Sequence, residues 1–287
     1  MTISATFRLG PKTVHRMGFG AMQLPGRGVF GPPRDRTEAL SVLRRGVELG
    51  VDHIDTAHFY GPDVANELIR EALHPYPAEL ALVSKVGARR GDTGQWLPAQ
   101  TPSDLRAGVE DNLRTLAIDR VDVVNLRVHE DSGVAFEDQL GTMMDLRTEG
   151  MIGGVGVSNV SAEQFAVAIA ATDIVCVQNA FNIVDRSSQS ILDTCRDEGI
   201  AFVPYFPLGS AFGRDHNNVL DAPSVVAGAD RLGVTVAQLA LAWLLDRSPN
   251  VLMIPGTSSL AHLEENLGAS QIELDDVTRE ELEELGG

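Results

Sequence analysis

Two hydrophobic patterns alternate along the chain. Short apolar, largely β-branched runs recur at RMGFGAM (16–22), VDHID (51–55), LALVSK (80–85), VDVVNL (121–126), IGGVGVS (152–158), IVCVQ (174–178), IAFVPY (200–205) and VLMIP (251–255). Runs this short, with little polar alternation, suit the strands of a parallel sheet buried on both faces. Between and after them, apolar residues fall at helical spacing over 35–49, 64–73, 101–116, 134–148, 161–171, 186–198, 235–247 and 258–267. The stretch 101–116 shows the logic. Thr101 is a candidate N-cap, Pro102 suits the first helical position, and Asp104 stands at capping-box spacing. Leu105, Val109, Leu113 and Leu116 then mark one face.

Eight strand signals with eight helices predict an α/β fold, a single (β/α)8 TIM barrel spanning 1–287. A doubly wound sheet would need a glycine-rich dinucleotide turn. GFGAMQ and GVGVSN resemble one only loosely, since neither supplies the final glycine. Residues 6–16 read as an N-terminal β-hairpin around Gly10-Pro11, and 216–233 and 275–285 as extra helices near the C-terminus. No linker or internal repeat divides the chain.

Composition narrows the function classes. With 44% hydrophobic and 22% charged residues, the chain is globular rather than disordered. A net charge of −17 serves solubility and repels nucleic acid and anionic membrane, so neither is expected as a partner. Cys176 and Cys195 are too few for a disulfide framework and are expected as buried free thiols. The opening MTISATFRLG lacks the basic and apolar regions of a signal peptide, and no apolar run approaches the roughly 20 residues of a membrane span. A cytoplasmic protein, monomeric or weakly homo-oligomeric, is expected. The seven histidines show no HExxH or other ligand spacing, so no metal is expected.

In a barrel, chemistry gathers at the C-terminal ends of the strands. Those ends carry Asp55 and Tyr60 (second), Lys85 (third), Arg127 (fourth), Ser158 and Asn159 (fifth), Gln178 (sixth) and Tyr205 (seventh), with Gly256, Thr257 and Ser258 after the eighth. Of 23 basic side chains only Lys12 and Lys85 are lysines. Where a chain that nearly always writes Arg writes Lys, a compact ammonium is needed. Taken singly, Lys85 could snorkel to solvent, Asp55 could cap a turn and Tyr60 could be a rim aromatic. Taken together they form a proton-transfer unit. A free phenol has a pKa of about 10, and bringing it to neutrality takes about 4 kcal/mol of preference for the phenolate. A cation in a water-poor site supplies much of that. Asp55 then positions Lys85, Lys85 acidifies Tyr60, and Tyr60 is the general acid.

The segment IDTAHFYG (54–61), Lys85 after an apolar strand, VGVSN (155–159), and IPGTSS (254–259) followed by EEN (264–266) resemble the aldo-keto reductase family over essentially the whole chain. The resemblance implies a (β/α)8 barrel that binds NADPH extended across its C-terminal face. It also makes Asp55, Tyr60 and Lys85 three members of a catalytic tetrad. The fourth is usually a histidine at the end of strand four, where this chain has Arg127, with His129 two residues on. A guanidinium there can donate to a carbonyl oxygen but cannot titrate near pH 7; the alternative is a structural arginine at the rim. The NLR segment, with GAMQLPGRGVFGPPRDR (20–36), GARRGDTGQWLPA (87–99) and IPGTSSLAHL (254–263), is similar to the branch that reduces pyridoxal to pyridoxine.

For the cofactor, Ser158 and Asn159 suit a carboxamide or, alternatively, the N-cap of 161–171, and Gln178 is a third carboxamide candidate. Family likeness implies Tyr205 stacked on the nicotinamide and Glu265 and Asn266 at the adenine. Pro207, Leu208, Gly209 and Ser210 form a loop able to approach a pyrophosphate. Gly256, Thr257, Ser258 and Ser259 lead into a helix whose N–H groups suit an anion, with His262 a turn later as either a ligand or a solvated residue. Many relatives place a Lys or Arg here for the 2′-phosphate; this chain has none, which leaves NADH possible beside NADPH. Phe30, His58, Phe59, Trp96 and Phe206 are the expected substrate pocket for a small-molecule aldehyde or ketone. Arg89 and Arg90 are either solvated or poised to attract an anionic group such as that of pyridoxal 5′-phosphate. Two rival readings remain: a Schiff-base lyase or aldolase with Lys85 as nucleophile, and a non-catalytic NADPH-binding sensor or auxiliary subunit.

Overall fold

The computed structural model of the chain describes residues 5–129, 132–209 and 219–286. The apolar runs become the parallel strands β3 (Phe19–Gly20), β4 (His53–Asp55), β5 (Ala81–Arg90), β7 (Val123–Arg127), β8 (Val155–Ser158), β9 (Ile174–Ala180) and β10 (Ala201–Tyr205). They pair in the order β3-β4-β5-β7-β8-β9-β10. Before them, β1 (Thr6–Leu9) and β2 (Lys12–His15) form the expected antiparallel hairpin. β6 (Trp96–Ala99) folds back antiparallel on the far end of β5. The apolar pattern marks only 80–85 of this stretch; VGARR lacks strand alternation, and Pro98 is compatible with a strand only at an edge.

The eighth apolar run closes the ring by a few bonds rather than a ladder. Met253 donates to the carbonyl of Arg16 and accepts from Gly18, each at 2.8 Å, while Leu252 N–H donates to the Phe202 carbonyl and Phe202 N–H to the Asn250 carbonyl, each at 2.9 Å. Bridges at Met17–Met253 and Phe202–Val251 complete the barrel. Inside, Ala81, Val83, Val123, Cys176, Ala201, Val203 and Leu252 form a small core. Leu9 and Val14 of the hairpin join it, so β1 and β2 plug the N-terminal end. The plug is pinned by Lys12 Nζ to the Leu80 carbonyl at 2.5 Å and to Asp122 at 3.2 Å. Asp52 also accepts from the His15 backbone N–H at 3.0 Å and lies 2.7 Å from its Nδ1.

The helices α1 (Arg36–Glu48), α2 (Val64–Leu73), α3 (Pro102–Leu116), α4 (Phe136–Thr148), α5 (Ala162–Ala171), α6 (Gln189–Asp197), α8 (Val236–Arg247) and α9 (Leu260–Gly268) form the outer layer. The extra helices are α7 (Pro223–Leu232) and α10 (Asp276–Glu283). The proposed box at Thr101 and Asp104 forms on α3, and Ser161–Gln164 and Thr235–Gln238 form others on α5 and α8. Among the described residues, no single helix is long and apolar enough to cross a membrane. Both cysteines are buried and free, and no group of three or more His, Cys, Asp or Glu is placed to hold a metal among the described residues.

Candidate active site

Strand alternation points Ala81, Val83 and Lys85 into the barrel, and β4 ends beside them at Asp55. Lys85 is buried and does not snorkel outward. Its Nζ donates to Asp55 Oδ1 and to the Thr56 carbonyl, the latter at 3.2 Å. The other oxygen of Asp55 accepts from Gln178 Nε2 at 2.6 Å, so the carboxylate is held from the opposite side of the barrel as well. Lys85 Nζ lies 5.0 Å from the centroid of the buried Tyr60 ring. Burial opposes the ammonium, but Asp55 and Tyr60 outweigh it and hold the Lys85 pKa above its ordinary value. A lysine kept charged in this way is a poor amine nucleophile, which weighs against the Schiff-base reading.

A tight turn carries Tyr60 to that position. Tyr60 N–H donates to Ala57 O at 3.0 Å, and Ala65 N–H donates to Tyr60 O at 3.1 Å as α2 begins. Gly61 has φ 109°, and a Cβ there would meet Val64 at 2.4 Å, so glycine is required. The turn breaks the strand alternation, and this separates His58 from Tyr60. The His58 ring faces α3, where Gly108 leaves it room, and burial lowers its pKa. The structure thus does not bring His58 into the strand-end pocket. Phe59 is likewise a fully buried core side chain, its ring 5.7 Å from that of Trp96. Trp96 stands 6.5 Å from the Tyr60 ring, and Phe30 lies against the same hairpin at Gly94.

Arg127 ends β7 opposite Ser158. Its Nε is buried without a hydrogen-bond partner among the described residues. Its carbonyl accepts from Gln100 Nε2 at 2.7 Å. Gly87, at φ 104°, admits that carbonyl, since a Cβ there would sit 2.4 Å from it. Burial first, and the Arg127 charge second, lower the His129 pKa. The cation at this strand end is therefore the guanidinium.

Neither Ser158 nor Asn159 caps α5; Ser161 does, with Gln164. Ser158 Oγ is buried without a partner among the described residues. Asn159, at φ 60°, donates from Nδ2 to Val128 O at 3.0 Å and accepts at Oδ1 from Tyr205 at 3.1 Å. Gln178 belongs as much to Asp55 as to this group. Burial raises the Tyr205 pKa, with Arg127 opposing. Phe206, at φ 55°, packs its ring 5.0 Å from that of Tyr205. Its carbonyl accepts from Gly209 N–H at 3.1 Å, which turns Pro207, Leu208 and Gly209 back on themselves; Ser210 lies outside the described residues.

Gly256 and Gly20 bring two backbones together, a Cβ on either meeting the other strand's carbonyl within 2.5 Å. Thr257 Oγ1 accepts from Ser259 N–H at 3.1 Å. Ser259 stands at the N-cap of α9 without a capping side-chain bond, and Ser258 and His262 are exposed. Asn266 is buried. Glu265 is already engaged, its carboxylate accepting from Thr235 Oγ1 at 2.5 Å.

Sequence reasoning missed the support behind the cluster. Thr56 Oγ1 donates to Asn66 at 2.8 Å, Asn66 Nδ2 to Asn112 and Thr115 at 2.9 Å, and Ser84 Oγ to Asn112 at 2.5 Å. These buried bonds fix the end of β4 and the middle of β5 to α2 and α3. The available signal was polar residues on otherwise apolar helix faces, at Asn66 and Asn112.

A parallel barrel with a buried acid, ammonium and phenol at its strand ends is the architecture of an aldo-keto reductase. Residues 16–286 match the aldo/keto reductase family, and the chain belongs to it as an oxidoreductase. Among relatives, it is 49% identical over 276 residues to pyridoxine 4-dehydrogenase of Escherichia coli (strain K12), covering 94% of each chain. An uncharacterised oxidoreductase of Schizosaccharomyces pombe is 38% identical over 283 residues, covering 99% of this chain and 90% of the relative. Solved structures agree. An aldo/keto reductase from Klebsiella pneumoniae in complex with NADP and acetate superposes with a TM-score of 0.82 at 27% identity, covering 98% of this chain and 94% of that one. A thermostable aldo-keto reductase bound to the inhibitor epalrestat does so with 0.82 at 29%, covering 98% and 99%.

Proposed function

We propose that the chain is an NADPH-dependent reductase of aldehydes, with pyridoxal, reduced to pyridoxine, as its substrate. The observation that carries the reading is the buried Asp55–Lys85–Tyr60 cluster at the strand ends. The substrate rests on the likeness to pyridoxine 4-dehydrogenase, and the cofactor on the Klebsiella structure with NADP.

The residues fit such a cofactor. Ser158 offers a buried hydroxyl without a partner among the described residues, beside Asn159 and Gln178. The uncapped start of α9 offers free N–H groups for a phosphate. Residues 256–262 contain neither Lys nor Arg, so hydroxyls and backbone would hold the 2′-phosphate, and NADH would also serve, less well.

Bound NADPH supplies a hydride to the carbonyl carbon. The Tyr60 hydroxyl gives its proton to the carbonyl oxygen. The Lys85 ammonium stabilises the phenolate left behind, and Asp55, braced by Gln178, keeps that ammonium in place. The Arg127 guanidinium donates to the oxygen as charge develops on it. In the reverse direction the Tyr60 phenolate takes the alcohol proton.

The test is NADPH oxidation with pyridoxal by wild-type protein and Tyr60→Phe. Loss of the positioned acid is expected to cut turnover by at least about a hundredfold, with NADPH affinity unchanged. Near-normal turnover in the variant would sink the mechanism.

A further inference from the structure

Arg90 ends β5, and its cross-strand partner is Trp96, the first residue of β6. Its guanidinium carbon lies 4.0 Å from the Trp96 ring centroid and 5.3 Å from that of Phe30. The same group donates to three carbonyls. Nη1 reaches Val29 at 2.6 Å, and Nη2 reaches Gly28 at 2.9 Å and Gly94 at 2.7 Å, with Nε adding a contact to Gly94 at 3.2 Å. A guanidinium stacked on an indole with its donors turned to carbonyls is neither simply solvated nor poised for an anion, so for Arg90 the structure replaces both alternatives, while Arg89 is exposed.

Val29 shows that the clasp holds something that would otherwise relax. It has φ 58°, a conformation that a β-branched residue avoids unless its neighbours impose it. Two donors grip its carbonyl: Arg90 Nη1 and the N–H of Gly61 at 3.2 Å. Gly61 directly follows Tyr60 and also accepts from Gly31 N–H at 2.8 Å. The loop 26–31 and the hairpin at 90–96 thus meet on one guanidinium, beside Tyr60. Trp96 and Phe30 are both only half-buried, so each ring keeps surface for a ligand.

We propose that Arg90 is a positioning residue that sets substrate choice. It holds Trp96 and Phe30 as an aromatic wall next to Tyr60, and that wall selects flat, ring-bearing aldehydes over short aliphatic ones. The inference rests on the reading of the chain as an aldehyde reductase. Lysine cannot replace Arg90, because a single ammonium cannot stack on the indole and bridge three carbonyls in a fixed plane.

The experiment compares kcat and KM for pyridoxal and for propanal in wild type, Arg90→Lys and Arg90→Met, at saturating NADPH. KM for pyridoxal is expected to rise roughly tenfold in both variants with kcat within about threefold, while propanal changes less than about twofold. A merely structural Arg90 would move both substrates together; equal changes, or none, overturn the proposal. Should Arg90→Met fold poorly, Arg90→Lys carries the comparison. Pyridoxine binding, followed by tryptophan fluorescence, reads the wall without turnover. Weakening of roughly tenfold in Arg90→Lys supports the proposal, and unchanged binding overturns it. Should wild type bind pyridoxine this way yet reduce neither aldehyde, the reductase reading fails and the wall stands.

Discussion

At the residue scale, Arg127 has the clearest consequence. A guanidinium stays charged at every working pH, whereas an imidazole titrates near pH 6.5. Burial and the Arg127 charge both favour neutral His129. Wild-type turnover is therefore expected to show no histidine inflection near neutrality. Arg127→His should introduce one, with turnover falling as the pH rises and the imidazolium is lost; a pH–rate profile of both proteins checks this. The tetrad candidates were legible for a chemical reason: in a chain this poor in lysine, Lys85 stands out, and Asp55 and Tyr60 are its neighbours by barrel topology. Asn66 and Asn112 left a signal as polar residues on apolar helix faces, but their partners, Ser84 among them, were not legible, because a sequence does not say which buried group such a residue meets. His58 was named for the pocket by its place in the strand-end segment, and the turn at 57–61 carries its ring toward Gly108 of α3 instead.

At the element scale, the helices could be placed from sequence because apolar residues recur at helical spacing, and on α3 the end carries chemistry as well. Thr101 Oγ1 accepts from the Asp104 N–H at 3.2 Å, and Asp104 Oδ2 accepts from the Thr101 N–H at 3.2 Å. Thr101→Ala is expected to cost about 1 kcal/mol, measured as a lower urea midpoint at unchanged m-value. The strand that escaped was β6, whose pairing depends on a hairpin with neither an apolar repeat nor a two-residue turn signal. The eighth strand was visible as VLMIP yet contributes bridges rather than a ladder, since hydropathy reports burial and not the number of bonds made.

At the scale of the whole molecule, the barrel is held at its base by the hairpin plug. Burial alone would raise the Asp52 pKa, but His53 and His15 outweigh it and hold it below the usual carboxylate value. A carboxylate with a depressed folded pKa contributes stability above its unfolded pKa of about 3.9, and the contribution fades as the pH falls through the lower folded value. Asp52→Asn should therefore melt below wild type at neutral pH, and the gap should close below about pH 4; acid unfolding curves of the two proteins test this. The fold class was legible from the eightfold alternation, while the closure of the ring had to be seen. The scarcity of lysine also reaches beyond the strand-end cluster. Lys12 is occupied by Leu80 and Asp122, and Lys85 is sealed inside the barrel. The described fold thus presents hardly a free primary amine, the group on which reactive carbonyl compounds leave lasting adducts, and a protein built this way offers such compounds, the proposed substrate among them, little surface to scar.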